Sequence, residues 1–126
     1  MADSNVKSIM SLIITIALAV FYALAGGSKY VGMQPTWAVN FDLWGYPAWF
    51  LYLVGALEFI GAALLLVPSI AILGSMVLGT IMFGAFWTHV ANGEYLGSVV
   101  AGVLFVLLVF LGRLRVGAFL TRFPLK

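Results

Sequence analysis

Four apolar stretches, residues 8–26, 48–67, 70–91 and 96–112, occupy most of a 126-residue chain. A helix needs roughly 20 apolar residues to cross the hydrocarbon core of a bilayer, so each stretch suffices for one crossing. Together they leave no room for a soluble catalytic domain. The polar side chains are too few for the alternative, a water-soluble globule. Charged residues make up 8% of the chain and hydrophobic ones 64%, whereas an ordinary soluble domain is about a quarter charged. Most of the surface must therefore face lipid. The pattern predicts an all-α membrane protein, one domain over residues 1–126, built as a four-transmembrane-helix bundle.

The connections refine this picture. Pro68-Ser69 and Asn92-Gly93-Glu94-Tyr95 are short turns that force antiparallel neighbours. Only the first connection is long. In it Pro35, a residue favoured at helix starts, precedes Trp37, Phe41 and Trp44 at i, i+4 and i+7, which predicts a short interfacial helix capping one mouth of the bundle. Arg113, Arg115, Arg122 and Lys126 follow the fourth stretch, while the opposite side offers Lys29 alone. Both termini are therefore expected in the cytoplasm, with Trp37, Trp44, Trp87 and Tyr95 forming an aromatic belt on the far side. Lys7, an apolar run and Ala23-Leu24-Ala25-Gly26 together resemble a secretory signal with its cleavage site. The polar stripe along this segment argues for a retained helix instead.

Several chemistries fall away. The chain has no cysteine, which removes disulfides, thiol relays, iron–sulfur clusters and cysteine zinc sites. Its single histidine, His89, cannot build a zinc site or a bis-histidine haem, so no metal is expected. A net charge of +2 on scattered Lys and Arg leaves no nucleic-acid footprint. No phosphate loop, nucleophile–base arrangement or dinucleotide fingerprint occurs, so any enzymatic role is that of a subunit.

The informative residues are the polar ones at membrane depth. Ser8, Thr15, Tyr22 and Lys29 recur every seventh position, a stripe expected to face protein. Ala71, Ser75 and Gly79 form one small-residue row and Thr80, Gly84 and Thr88 another, which predicts a central helix approached closely on two sides. Glu58 lies 11 positions after Pro47, about 16 Å along its helix and near the bilayer centre. A charge there costs about 2.5–3.5 kcal/mol on insertion scales. Gly55, Gly61 and Ala62 share its side of the helix, so Glu58 is expected to point into the bundle, protonated or paired with Lys29, Tyr22 or a donor from another helix. Lys29, just past the first stretch, is expected at the interface, so direct contact with the deeper Glu58 requires a displaced helix or intervening water. Lys29, Glu58, His89 and Tyr22 are the candidate polar pocket, with Trp37, Phe41 and Trp44 as its lid. A flat, mostly apolar ligand with one or two oxygens, such as a quinone, suits apolar walls with few polar groups.

The run Ala25-Gly26-Gly27-Ser28-Lys29, then Leu43-Trp44-Gly45-Tyr46-Pro47, then Gly55-Ala56-Leu57-Glu58-Phe59-Ile60-Gly61, and finally His89 resembles the DoxX-like membrane proteins in order and spacing. The resemblance implies a four-helix, multi-pass protein of a bacterial-type cytoplasmic membrane. It also implies kinship with a membrane subunit of a thiosulfate:quinone oxidoreductase, with Lys29, Glu58 and His89 as the matched positions. The expected role is an accessory or quinone-facing subunit of a membrane redox complex. A small proton-coupled transporter or channel using Glu58, and a purely structural partner-binding bundle, are the alternatives. Expected partners are the lipid bilayer and other membrane or membrane-associated subunits, or further copies of the chain.

Overall fold

The computed structural model describes residues 2–125. Five helices follow in order: α1 (Ala2–Ser28), α2 (Gln34–Leu43), α3 (Ala48–Leu65), α4 (Ala71–Ala91) and α5 (Tyr95–Arg122), with a 3-10 turn, Pro68–Ile70, before α4. Four candidate membrane spans lie within Asn5–Ser28, Ala48–Leu65, Pro68–Ala91 and Tyr95–Arg122. The architecture is the expected all-helical, four-span bundle with a short helix in the first connection. Four successive spans bring both ends of the chain to the end of the bundle opposite α2.

Two boundaries differ from expectation, for one reason: helices continue until something breaks them. Nothing between Gly112 and Arg122 does so, and α5 therefore runs on to Arg122 and stops at Phe123, the residue before Pro124, where the α conformation is disfavoured. Likewise α1 starts at Ala2, with Asp3 favourably placed in its first turn. The basic residues 113–122 are thus helical rather than a loose tail, and Lys126 lies outside the described residues. Arg115 joins the protein interior, where its Nη2 donates to Thr15 Oγ1 at 2.7 Å and ties α5 to α1. Thr15, Tyr22 and Lys29 of the heptad stripe are buried, but Ser8 is exposed.

The helices pack in series: α1 on α3, α3 on α4 and α4 on α5, while α1 and α5 barely meet. Glycine sets the two α3 crossings. A Cβ on Gly26 would stand 2.6 Å from the Gly55 carbonyl oxygen and 2.9 Å from the Phe59 nitrogen. One on Gly74 would stand 2.7 Å from the Gly61 oxygen and 2.9 Å from the Leu65 nitrogen. Backbone meets backbone at both places, as small residues permit in membrane helices. The core, with Leu18, Tyr22, Leu65, Leu78, Leu108 and Leu111, fills the half of the bundle nearer the chain ends.

The small-residue rows of α4 serve two purposes rather than the single one expected. Ala71, Ser75 and Gly79 are buried, although an added Cβ on Gly79 would meet no atom within 4 Å. Gly84 has no atom within 4 Å of an added Cβ, and it lines a cavity with Thr80 and Thr88. That row creates space instead of closing it.

Gly26→Ala and Gly74→Ala each force backbone apart and should destabilise by about 1–3 kcal/mol. Gly117→Ala, at an open helical position, should be neutral or gain up to about 1 kcal/mol. Unfolding in mixed detergent micelles measures all three, and equal losses would show that the α3 crossings are looser than described.

Candidate functional site

Because Gly26 lies against Gly55 and Phe59, α1 stops beside the middle of α3, whose first two turns rise past it. Lys29 therefore sits lower than its place after the first stretch suggests. A Cβ on Gly55 would be only 3.1 Å from the Lys29 Cβ. The lysine stem folds back along α1, its Nζ 3.4 Å from the Ala25 oxygen. This carries the ammonium one turn down, to 2.6 Å from Glu58 Oε1, at an angle outside aligned hydrogen-bond geometry. Direct contact, expected only with a displaced first helix or intervening water, is made by the inward position of the end of α1. The short reach of α1 at this end and the length of the lysine side chain close the gap. Both residues are buried, at 4% and 3% exposure, so each charge has the other as its main compensation.

The space above the truncated end of α1 is filled by α2. Gly32 and Gly45, with φ of +74° and +86°, turn the chain on either side of it, a conformation that side-chain-bearing residues rarely adopt. Phe41 is the buried hub, its ring 5.3 Å from Trp44, 5.8 Å from Tyr46 and 6.2 Å from Phe50 between centroids. Trp37 lies over the Lys29 ammonium at 4.0 Å, a cation–π contact, and its Nε1 donates to Ser28 Oγ at 3.1 Å. Trp44 Nε1 donates to Glu94 Oε1 at 2.8 Å, and the Tyr46 and Thr88 hydroxyls bond to each other. These bonds stitch α2 and the residues after it to α1, α4 and the α4–α5 turn. Trp37 and Trp44 thus face inward, whereas Trp87 and Tyr95, together with Tyr30, Trp49 and Tyr52, carry exposed aromatic surface at this end.

Beneath α2 is a cavity of about 640 Å³, within the range of small-molecule sites. Lys29, Glu58 and His89 line it, and so do Trp37, Phe41 and Trp44. Tyr22 does not. On α1 the cavity wall is Phe21, Ala25 and Lys29, and Tyr22, about 100° further round the helix, is fully buried in the core with its hydroxyl unpartnered. His89 stands at the rim. Its Nδ1 lies 3.1 Å from Glu94 Oε1, its ring meets Trp44 edge-on at 5.3 Å, and Gly97 leaves room for it. Glu94, Tyr46, Phe50 and Thr88 are site residues that sequence reasoning missed. For Glu94 a signal exists: five positions after His89, across a turn with Gly93 at positive φ, the chain doubles back onto the imidazole. A second depression, about 830 Å³, is a surface groove along α4 and α5 away from these groups.

Chemically, the cavity floor offers a cationic donor and an anionic acceptor side by side within apolar, aromatic walls. A ligand carbonyl can accept from Lys29, and a ligand hydroxyl can donate to Glu58. Among the described residues no group of three or more His, Asp or Glu side chains is arranged to hold a metal.

Removing one partner of a buried ion pair strands the other, so Lys29→Met alone should cost about 3–5 kcal/mol, while Lys29→Met combined with Glu58→Leu should recover most of it. Glu58→Gln should fold better than Glu58→Lys, which sets two ammonium groups together. Detergent unfolding of the four variants checks this, and a double variant no more stable than Lys29→Met would refute the pairing.

No curated protein and no solved structure matches the chain. The model of the DoxX-like family matches residues 13–112, from the first buried turns of α1 through the α5 crossing at Gly112 and thus across every residue of the cavity. The chain, a multi-pass membrane protein, belongs to the DoxX-like family.

Proposed function

We propose that this DoxX-like protein binds a flat, oxygen-bearing apolar ligand of the quinone class in the cavity under α2, as an accessory or quinone-facing subunit of a membrane redox complex. The observation that carries the reading is the buried Lys29–Glu58 pair set in the floor of an otherwise apolar, aromatic-walled cavity. A quinone carbonyl accepts hydrogen bonds and a hydroquinone hydroxyl donates them, so a donor and an acceptor in contact suit both forms. Stacking surfaces come from Trp37, Phe41 and Trp44. The packed layer of Leu65, Leu78, Leu108 and Leu111 below the cavity weighs against a through-going transport path that uses Glu58.

The absence of any self-contained catalytic motif assigns the chemistry to partner subunits. The membrane is a bacterial-type cytoplasmic membrane, with both chain ends on the cytoplasmic side because Arg113, Arg115 and Arg122 cluster toward that end. Reporter fusions at the two ends and after residue 94 test this orientation, and a cytoplasmic signal from residue 94 reverses it.

Equilibrium binding of a short-tailed quinone to protein in lipid nanodiscs tests the ligand. Trp44→Ala removes contact area and Glu58→Ala removes an orienting group. Each should weaken binding by about 0.5–1.5 kcal/mol, roughly 2- to 13-fold. Unchanged affinity across folded variants excludes a quinone at this site.

A further inference from the structure

The cavity is closed above and below but not on every side. Above, a route through α2 has to break the Trp37–Ser28, Trp44–Glu94 and Tyr46–Thr88 hydrogen bonds and unpack Phe41. Below, the interior is filled by Leu18, Leu78, Leu108 and Leu111, with Arg115 bonded to Thr15 beneath them. On the sides, α3 packs against α4, and α4 against α5, through many contacts. The seam between α1 and α5 is different, because those helices barely meet, and Arg115–Thr15 is the side-chain hydrogen bond between them.

Each side of this seam is a regular ridge. Phe21, Ala25 and Lys29 stand at i, i+4 and i+8 on α1, and Leu96, Val100 and Leu104 stand at i, i+4 and i+8 on α5. All six line the cavity. Phe21 and Val100, each 47% exposed, and Leu96, 80% exposed, line the cavity and are accessible from outside, as Thr80 and Gly84 on α4 also are, but only the α1–α5 side combines this exposure with few contacts between its two helices. Apart from the buried Lys29 at its upper end, this side is apolar, so at membrane depth it faces acyl chains and admits no hydrated solute.

We propose that this α1–α5 seam is a lateral portal through which a membrane-dissolved amphiphile reaches the cavity, its oxygen-bearing head at Lys29 and Glu58 and its apolar tail lying out between the two ridges. The inference rests on reading the cavity as a ligand site. It goes further in fixing the route and in requiring a ligand that partitions into the bilayer and carries a tail. Displacing lipid from an apolar seam breaks no hydrogen bond, whereas the route through α2 breaks several.

The test uses photolabelling with an alkyl diazirine dissolved in the lipid of vesicles holding the full chain, read by peptide mass spectrometry. Leu57 and Ala85 lie on the cavity wall and are half-buried, while Val103 and Val106 face outward and line neither depression. Adducts are expected at all four positions. Val100→Trp, which fills the seam, should lose those at Leu57 and Ala85 and keep those at Val103 and Val106. Val100→Ala, which opens the seam, should increase the Leu57 and Ala85 adducts and decides the matter if Val100→Trp does not fold. The portal is overturned if Leu57 and Ala85 stay unlabelled while Val103 and Val106 react, if their labelling ignores both substitutions at Val100, or if a charged, water-soluble diazirine labels them instead. Cavity labelling through the seam in a protein that binds no quinone discards the quinone and keeps the portal. Quinone binding with labelling indifferent to Val100 does the reverse.

Discussion

An ammonium and a carboxylate removed from water must compensate each other, and the Lys29–Glu58 contact imposes that requirement on the half of the bundle that carries α2. To meet it, α1 crosses α3 at backbone distance through Gly26 and ends beside Gly55, within one turn of Glu58. Because α1 stops at Ser28, room remains over its end, which α2 occupies with Trp37 above the ammonium. The ion pair, the glycine crossing and the position of α2 are thus one arrangement. Lengthening α1, separating it from α3 or displacing α2 would strand a charge.

The same bundle is solid at one end and hollow at the other. Toward the chain ends, leucines fill the interior and Arg115 reaches across to Thr15. Toward α2, small residues on α4, chiefly Gly84 with Thr80 and Thr88, hold the helices' side chains apart and leave a cavity. Glycine therefore has opposite uses within a few turns: at Gly26 and Gly74 a missing Cβ lets backbones touch, and at Gly84 it leaves volume unfilled. A solid base fixes the helix positions, and an apolar chamber with one polar pair can then be held open without a ligand's help.

The aromatic residues follow the same division of labour. At a membrane interface Trp and Tyr ordinarily anchor the protein at headgroup level, and Trp49, Trp87 and Tyr95 have the exposure for that role. Trp37 and Trp44 are turned inward, their indole N–H groups held by Ser28 and Glu94, so that their ring faces become cavity wall. Rings fixed by hydrogen bonds would lower the ordering cost of binding the flat ligand proposed for the cavity.

Hydropathy and turn residues determined the span number, the antiparallel order, the short helix after Pro35 and the inward face of Glu58, because these depend on local period, length and helix breakers. Lys29, Glu58, His89 and the three lid aromatics were legible as unusual residues from their type and depth alone. Their distances were not. Whether Lys29 reaches Glu58 depends on how far α1 slides along α3, which the Gly26–Gly55 crossing sets and no local pattern encodes. Tyr22 shares a heptad stripe with Lys29 yet lies in the core, since a helix face can border both a cavity and a packed interior. Small-residue rows read alike whether they bring helices together or leave them apart, and only the positions of the neighbouring helices distinguish Gly74 from Gly84. The sequence determined which groups had to be shielded from lipid, because burial cost is a property of each side chain; the tertiary structure decided what shields them, because partners are chosen by the relative positions of whole helices.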